Sequence, residues 1–220
     1  MTLDLFDSAA GPAAEDRIET LGPQACVLRG FALPQEKELV AAIEHVTAAA
    51  PFRHMVTPGG QTMSVALTNC GPLGWITDRR GYRYSPLDPL TQHPWPAMPS
   101  CFLSLAQSAA LAAGFADFTP DACLINRYEP GSRMGLHQDR DEQDFSQPIV
   151  SVSLGIPAVF QFGGLTRQDR PTRIPLFHGD VVVWGGVDRL RFHGVMTVKE
   201  AMHPLLGARR INFTFRKAGA

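Results

Sequence analysis

From Ala122 onward the chain is a succession of short apolar segments separated by glycine and proline, and few folds accommodate this pattern. Residues 149–155 alternate between apolar side chains on one face and serines on the other. Residues 181–184 are apolar on both faces, which is typical of a central strand. Many short strands with tight turns predict a sandwich or barrel, and the jelly roll of cupin-like proteins fits this spacing.

Two segments before this region carry a helical pattern. Apolar residues recur at helical spacing between Pro34 and Pro51, and again between Pro99 and Gly114. Both helices are expected to pack against the strands without carrying a site. The predicted fold is therefore mainly β with flanking α-helices (α+β), in the order helices first and strands after.

Composition indicates a compact single-domain protein. The chain has 220 residues, 45% of them hydrophobic and 19% charged, which suffices for one core. Residues 1–16 are expected to form a loose tail, and residues 17–220 one domain. No apolar run is long enough to cross a membrane and the start lacks the pattern of a secretory signal, so we expect a cytoplasmic monomer. The four cysteines are scattered, and reduced, mostly buried thiols are expected.

Residues 137–139 read His-Gln-Asp, and a lone histidine, His193, follows far downstream. Side chains at i and i+2 of an extended chain point to the same side, so His137 and Asp139 can face one metal ion. Two histidines and one carboxylate form the ligand set of a non-haem iron(II) site, whereas structural zinc is normally closed by four ligands. Such triplets are also common in ordinary loops, so this interpretation depends on the end of the chain.

That end predicts a strand with one apolar and one strongly polar face. Alternation places four residues on the polar face: Arg210, Asn212, Thr214 and Arg216. A solvated face is one interpretation, because the surface is the usual place for arginine. The other is an anion site, because the planar fork of arginine meets a carboxylate with two parallel hydrogen bonds. Two arginines on one strand suit a short dicarboxylate that chelates iron, such as 2-oxoglutarate.

This combination resembles the AlkB-type iron(II)/2-oxoglutarate dioxygenases, which repair alkylated nucleobases. The resemblance covers nearly the whole chain from about Pro51 onward, and the terminal Arg-x-Asn-x-Thr-Phe-Arg is specific to this family when it follows HxD and a distant histidine. The segments that carry it include residues 55–60, 62–66, 68–71, 123–128, 136–139, 148–155, 160–164, 178–186 and 210–216.

The resemblance implies a double-stranded β-helix over residues 122–216 and a nucleotide-recognition lid over residues 51–98. It implies that His137, Asp139 and His193 bind iron(II) and are the catalytic residues, with 2-oxoglutarate and dioxygen as cosubstrates. A second group of residues is implied to bind 2-oxoglutarate. Arg210 and Tyr128 are implied to bind its distal carboxylate. Arg216 and Asn126 are implied to bind the carboxylate beside the ketone, and Asn212 to support these four residues.

The substrate-binding residues implied by the resemblance are Met63, Trp75, Tyr82, Asp141 and Arg167. From residue 51 to 96, arginines are interleaved with aromatic residues, which suits single-stranded nucleic acid, although a soluble flexible loop is the plainer interpretation. Asp141 offers a negative charge to cationic methylated bases, and its alternative is a solvated acidic turn. The net charge of −1 gives no attraction of the whole protein to nucleic acid, so any such surface is local.

The expected activity is therefore the oxidative demethylation of N-alkylated bases such as 1-methyladenine and 3-methylcytosine. Single-stranded DNA is the expected partner, with RNA as a second candidate, and the products are formaldehyde, succinate and carbon dioxide. Two alternatives remain open at this point. The first is the same chemistry on a protein or small molecule, and the second is a non-enzymatic cupin-like module that binds a metal.

Overall fold

A computed structural model of the protein describes residues 18–219, and the tail expected over residues 1–16 lies outside them. The first part of the described chain contains β1 (Ile18–Gly22), β2 (Ala25–Leu28), α1 (Glu36–Ala49), β3 (Arg53–Val56), β4 (Thr62–Cys70), β5 (Gly74–Asp78), β6 (Gly81–Ser85) and α2 (Ser100–Ala112). The second part contains β7 (Ala122–Tyr128), β8 (Met134–His137), β9 (Ile149–Gly155), β10 (Ala158–Phe162), β11 (Thr172–Leu176), β12 (Val181–Trp184), β13 (His193–Val195) and β14 (Arg210–Arg216).

Two antiparallel sheets face each other and form the body of the protein. The larger has eight strands in the order β1-β2-β12-β9-β14-β7-β4-β3, and the smaller has four in the order β11-β10-β13-β8. One apolar cluster lies between them and combines Ile149, Val182 and Trp184 of the larger sheet with Phe160 and Val195 of the smaller. This is the predicted jelly roll, or double-stranded β-helix.

The two helices cover the outer face of the larger sheet. Phe102 of α2 stacks on Phe213 with ring centres 4.8 Å apart and meets Phe215 edge-on at 6.0 Å. All three side chains are fully buried, and each such burial stabilises the fold by roughly 1.5–3 kcal/mol. Both helices lie between the residues that predict their ends, and the apolar face predicted for β14 is confirmed.

Strand register places the polar face of β14 where a site can form. β14 lies between β9 and β7, with Asn212 opposite Asn126 and Arg210 opposite Tyr128. Because residues directly opposite in an antiparallel pair share a face, the polar residues of both strands emerge together. Ser153 of β9 lies opposite Asn212 on the other side, which extends this polar row across three strands.

The predicted order of helices first and strands after is wrong. β1 and β2 precede α1, and the segment of residues 51–98 contains four strands, although its glycine, proline and aromatic content predicted a loop. β3 and β4 join the larger sheet, which therefore extends beyond residues 122–216, while β5 and β6 form a separate two-stranded hairpin. The strand signal is weak there because β4 gains its partner, β7, only from a distant part of the chain.

The four cysteines are buried and free, in agreement with the prediction. The structure nevertheless brings two of them together, since Cys70 and Cys123 lie opposite each other on β4 and β7. Burial raises the pKa of the Cys123 thiol well above its ordinary value, so the thiol stays protonated and unreactive. Within residues 18–219, no helix has both the length and the apolar character needed to cross a membrane.

Candidate active site

Two neighbouring strands of the smaller sheet bring the three predicted metal ligands together. His137 ends β8 and His193 begins β13, and the two residues lie opposite each other in the ladder. The Nε2 atom of His137 is 3.7 Å from Oδ1 of Asp139, and that of His193 is 3.8 Å from Oδ2. Asp139 lies two residues beyond the end of β8, in a segment without regular structure, and its carboxylate faces both histidines. One ligand atom from each residue lies within 4.8 Å of the others.

The hydrogen bonds and charges of these residues suit a divalent cation. The Nδ1 atoms of His137 and His193 lie 2.9 Å and 3.0 Å from the backbone carbonyls of Gly135 and Arg191, so each Nδ1–H donates and leaves the Nε2 lone pair for a metal. Burial lowers the pKa of His193 to about 4, which keeps its imidazole neutral at physiological pH. Burial opposes ionisation of Asp139, but the positive charges around it, with Arg216 the largest, together outweigh burial and hold the pKa of Asp139 below its ordinary range. Two imidazoles and one carboxylate fit iron(II).

A small cavity beside this centre is lined by all five residues predicted to bind 2-oxoglutarate. They are Asn126, Tyr128, Arg210, Asn212 and Arg216. Each of them is buried. The polar face of β14 is therefore buried and lines a cavity, so it is not a solvated surface, and the alternative of a strand edge in water is wrong for Asn126 and Tyr128.

The guanidinium of Arg210 is only partly hydrogen-bonded within the protein. Its Nη2 donates to Oγ of Ser153 at 2.9 Å, and its guanidinium lies 5.0 Å from the centre of the Tyr128 ring. Its Nε and Nη1 atoms, like Oδ1 of Asn126, are buried without a hydrogen-bond partner among the described residues. Buried donors are normally satisfied, so two free donors on one buried cation fit an incoming carboxylate.

Arg216 has partners of its own in the protein. Its Nε and Nη2 atoms lie 2.8 Å and 2.7 Å from Oδ2 of Asp139, and its Nε lies 3.3 Å from Oε1 of Glu142. Burial disfavours its charge, but its acidic neighbours, with Asp139 the largest, together outweigh burial and raise the pKa of Arg216 above its ordinary value. Arg216 lines both the small cavity and a larger groove, so it remains a candidate for the carboxylate nearer the metal.

The larger groove, of about 940 Å³, is lined by His137 and Asp139 of the predicted metal ligands. Four of the five predicted substrate residues line it, namely Met63, Trp75, Tyr82 and Asp141. The rings of Trp75 and Tyr82 are stacked with centres 5.6 Å apart, and the indole Nε1–H of Trp75 donates to Oδ2 of Asp141 at 2.9 Å. The fifth residue, Arg167, does not line the groove. It is exposed, and its guanidinium lies 5.8 Å from the centre of the Phe192 ring, next to His193 in the chain.

The comparisons with known proteins agree with this geometry. The sequence profile of the 2OG-Fe(II) oxygenase superfamily matches residues 24–216. The chain is 58% identical to Alpha-ketoglutarate-dependent dioxygenase AlkB of Escherichia coli over 217 residues, which is 99% of this chain and 98% of that protein. The chain belongs to the AlkB family of this superfamily.

Other AlkB-family proteins match this chain at lower sequence identity, and some of them match a smaller part of it. The solved structure of OsALKBH1 matches with a TM-score of 0.80 at 27% identity, covering 91% of this chain and 99% of that one. Human Nucleic acid dioxygenase ALKBH1 is 36% identical over 126 residues, which is 57% of this chain and 32% of that protein. As an AlkB-family member, the protein is an iron(II)- and 2-oxoglutarate-dependent dioxygenase, and the alternative of a non-enzymatic module is wrong.

Three residues of this AlkB-family site were not predicted to support it. Glu142 is buried between Arg189 and Arg216, and it accepts a hydrogen bond from the hydroxyl of Tyr84. Arg189 in turn donates to the backbone carbonyl of Asp139 at 3.1 Å. The sequence carries no clear signal for this network, because residues 138–148 form no regular element and Glu142 stands in an acidic run that is typical of a solvated turn.

Proposed function

We propose that the protein repairs alkylated nucleic acid by oxidative demethylation of bases such as 1-methyladenine and 3-methylcytosine. One observation carries the proposal: the metal ligands His137 and Asp139 line the same groove as the stacked rings of Trp75 and Tyr82, and the cosubstrate cavity shares lining residues with that groove. A flat aromatic face beside an oxidising centre suits a flat substrate, and base stacking contributes roughly 1–3 kcal/mol per base. The name of human Nucleic acid dioxygenase ALKBH1 states the same substrate class for that relative.

The reaction assigns a role to each group of residues. Bound iron(II), with 2-oxoglutarate and dioxygen, supplies the oxidising power that hydroxylates a C–H bond and yields succinate and carbon dioxide. Nε2 of His137, Nε2 of His193 and the carboxylate of Asp139 hold the metal. The hydroxylated N-methyl group of the base then leaves as formaldehyde, and the unmodified base remains.

The cosubstrate is bound by the polar row on β7 and β14. The free donors of Arg210 and the hydroxyl of Tyr128 take the distal carboxylate. Arg216 and Asn126 take the carboxylate beside the ketone. Asn212 stabilises this row because its Nδ2 donates to Oγ of Ser151 and to the backbone carbonyl of Val152, both at 2.8 Å.

Asp141 is proposed to favour cationic lesions. Its carboxylate already accepts from the indole of Trp75, so it orients the stacking face and brings a negative charge to the groove. Bases methylated on a pairing ring nitrogen are cationic, and a cation stacked on tryptophan gains further attraction. Such bases also pair poorly, so they leave the stack at lower cost than intact bases. Met63 and Tyr82 complete the groove, while Arg167 is proposed to reach the nucleic acid from its exposed position.

We also propose a single domain over residues 17–220 that acts as a monomer in the cytoplasm, with residues 51–98 as the nucleotide-recognition lid. Within residues 18–219, strands from both ends of the chain share the larger sheet, which supports one folding unit. Free, buried cysteines are typical of a reducing compartment. Light scattering after size-exclusion chromatography measures the oligomeric state directly, and a dimer would contradict the monomer.

The proposed function is tested with purified protein, iron(II), ascorbate, 2-oxoglutarate and single-stranded oligonucleotides that each carry one defined lesion. Mass spectrometry should show loss of one methyl group from 1-methyladenine and 3-methylcytosine. His137→Ala, Asp139→Ala and His193→Ala should each abolish turnover, whereas His93→Ala, an exposed histidine in a loop, should not. Succinate production without any demethylated base would show that the substrate is of another class.

A further inference from the structure

Glu142 is a buried carboxylate in an otherwise exposed acidic loop. Its side chain is 2% exposed, and its Oε1 accepts a hydrogen bond from the Tyr84 hydroxyl at 2.6 Å. Burial raises the pKa of Tyr84 well above its ordinary value, so the phenol keeps its proton and remains a donor. A short hydrogen bond to a buried carboxylate is among the stronger single interactions in a protein.

Two arginines hold Glu142 in place. Oε2 of Glu142 lies 3.1 Å from Nη2 of Arg189, and Oε1 lies 3.3 Å from Nε of Arg216. Arg189 also binds the backbone carbonyl of Asp139, and Arg216 binds its carboxylate. Two ion pairs thus link Glu142 to the metal ligand Asp139, one through Arg189 and one through Arg216, although Oε2 of Glu142 has no hydrogen-bond partner among the described residues.

Tyr84 connects Glu142 to the substrate groove. It lies on β6 directly opposite Trp75 of β5, the residue that offers the stacking face. The β5–β6 hairpin shares no ladder with the other two sheets. A single bridge joins Leu73, just before β5, to Ala122 of β7, and the side chain of Asn69 bonds to the backbone of Trp75. These contacts hold β5, and the hydroxyl of Tyr84 adds a contact from β6. Tyr84 itself does not line the groove, in contrast to Tyr82 on the same strand, and its hydroxyl is directed to Glu142.

We propose that Tyr84 and Glu142 are positioning residues for demethylation: their hydrogen bond sets the distance between the stacking face of the hairpin and the metal centre. This inference rests on the proposed function. A hairpin that is not held presents the base at variable depth, so the methyl group is often out of reach while 2-oxoglutarate is still consumed. A loss of this bond therefore separates cosubstrate oxidation from demethylation and also weakens substrate binding, because the hairpin must then be ordered on binding.

The first test needs no nucleic acid. Tyr84→Phe removes only the hydroxyl, and Ser85→Ala is a matched control that removes a hydroxyl from the same strand, one that bonds to the backbone of Leu87. In substrate-free protein, hydrogen exchange of the amides of residues 74–85 should become about tenfold faster in Tyr84→Phe. A factor of about ten corresponds to the free energy of one hydrogen bond to a charged group. Ser85→Ala should leave this region at the wild-type rate, and equal rates in wild type and Tyr84→Phe overturn the proposal.

The second test measures binding and coupling. Fluorescence anisotropy of a labelled oligonucleotide carrying 1-methyladenine, with metal-free protein, should show about tenfold weaker binding to Tyr84→Phe. In the loaded enzyme, the ratio of succinate to formaldehyde should rise in Tyr84→Phe and stay at the wild-type value in Ser85→Ala. An unchanged ratio together with unchanged affinity overturns the positioning role. If the exchange result holds but wild type releases no formaldehyde from any lesion, the proposed function fails while the contact between Tyr84 and Glu142 stands.

Discussion

Replacement of Arg210 by methionine should weaken 2-oxoglutarate binding and, at the same time, stabilise the ligand-free protein. Arg210 is 2% exposed, and burial lowers its pKa because its charge is removed from water. Its guanidinium faces the ring of Tyr128, and its Nε and Nη1 are without hydrogen-bond partners among the described residues. We therefore expect the buried cation to lower the stability of the ligand-free protein and to bind a carboxylate of 2-oxoglutarate.

The magnitudes follow from these contacts. An unpaired buried polar group costs about 1–3 kcal/mol, and the Arg210→Met change removes two of them at the loss of one hydrogen bond to Ser153. The free energy of unfolding should therefore rise by roughly 1–3 kcal/mol. Truncation of one partner of a buried charge pair costs roughly 2–5 kcal/mol, so 2-oxoglutarate affinity should fall about thirtyfold or more.

Two measurements and one control decide the outcome. Calorimetry with manganese(II) in place of iron gives the affinity for 2-oxoglutarate, and urea unfolding of the ligand-free protein gives its stability. Arg209→Met is the matched control, because Arg209 precedes Arg210 in the chain but is exposed, and it should change neither quantity. Unchanged affinity in Arg210→Met would refute the clamp, and a less stable ligand-free protein would show that the buried guanidinium is already satisfied.

Three further predictions concern lesion choice, pH and the core. Asp141→Asn should lower the ratio of repair rates for 3-methylcytosine over the neutral 1-methylguanine, and a constant ratio would show that Asp141 does not read charge. Burial lowers the pKa of His193 from 6.5 to about 4, so the unfolded chain takes up the proton first and metal-free protein should lose stability as pH falls from 6.5 to 4. The free energy of unfolding should fall by up to about 1.4 kcal/mol per pH unit in wild type, and this loss should be absent from His193→Gln. Urea unfolding at a series of pH values measures it, and an equal dependence on pH in both proteins would assign the loss to another group. Phe213→Ala should cost roughly 3–5 kcal/mol in urea unfolding because its ring is fully buried against α2, whereas a loss below about 1 kcal/mol would mean that the core closes around the cavity.

Periodicity along single strands was sufficient to predict much of the candidate site. The alternation of residues 210–216 separates Phe213 and Phe215 from the polar row, and the structure has the same two faces. This works because a strand directs successive side chains to opposite sides whatever its neighbours are. The helices were predicted for a similar reason, since proline and glycine act locally on the backbone at their ends.

Pairing between distant segments could not be predicted in this way. The strands within residues 51–98 were not predicted. β4 is stabilised as a strand by its pairing with β7, and the sequence of β4 alone does not indicate which segment it pairs with. The same limit applies to Asp139. Its spacing from His137 predicts that both side chains face one metal ion, as the structure has them, but the contact with His193 depends on the pairing of β8 with β13.

The sequence by itself determined the ligand types, the polar strand and the family, because these depend on residue identity and on short-range spacing. Only the tertiary structure decided which charges are buried and which contacts hold the groove in place. The sequence around Glu142 is typical of a solvated acidic turn. In the structure, its carboxylate is buried and contacts Arg189, Arg216 and Tyr84. Burial and charge pairing arise from the packing of segments far apart in the chain, and no local pattern of residues encodes them.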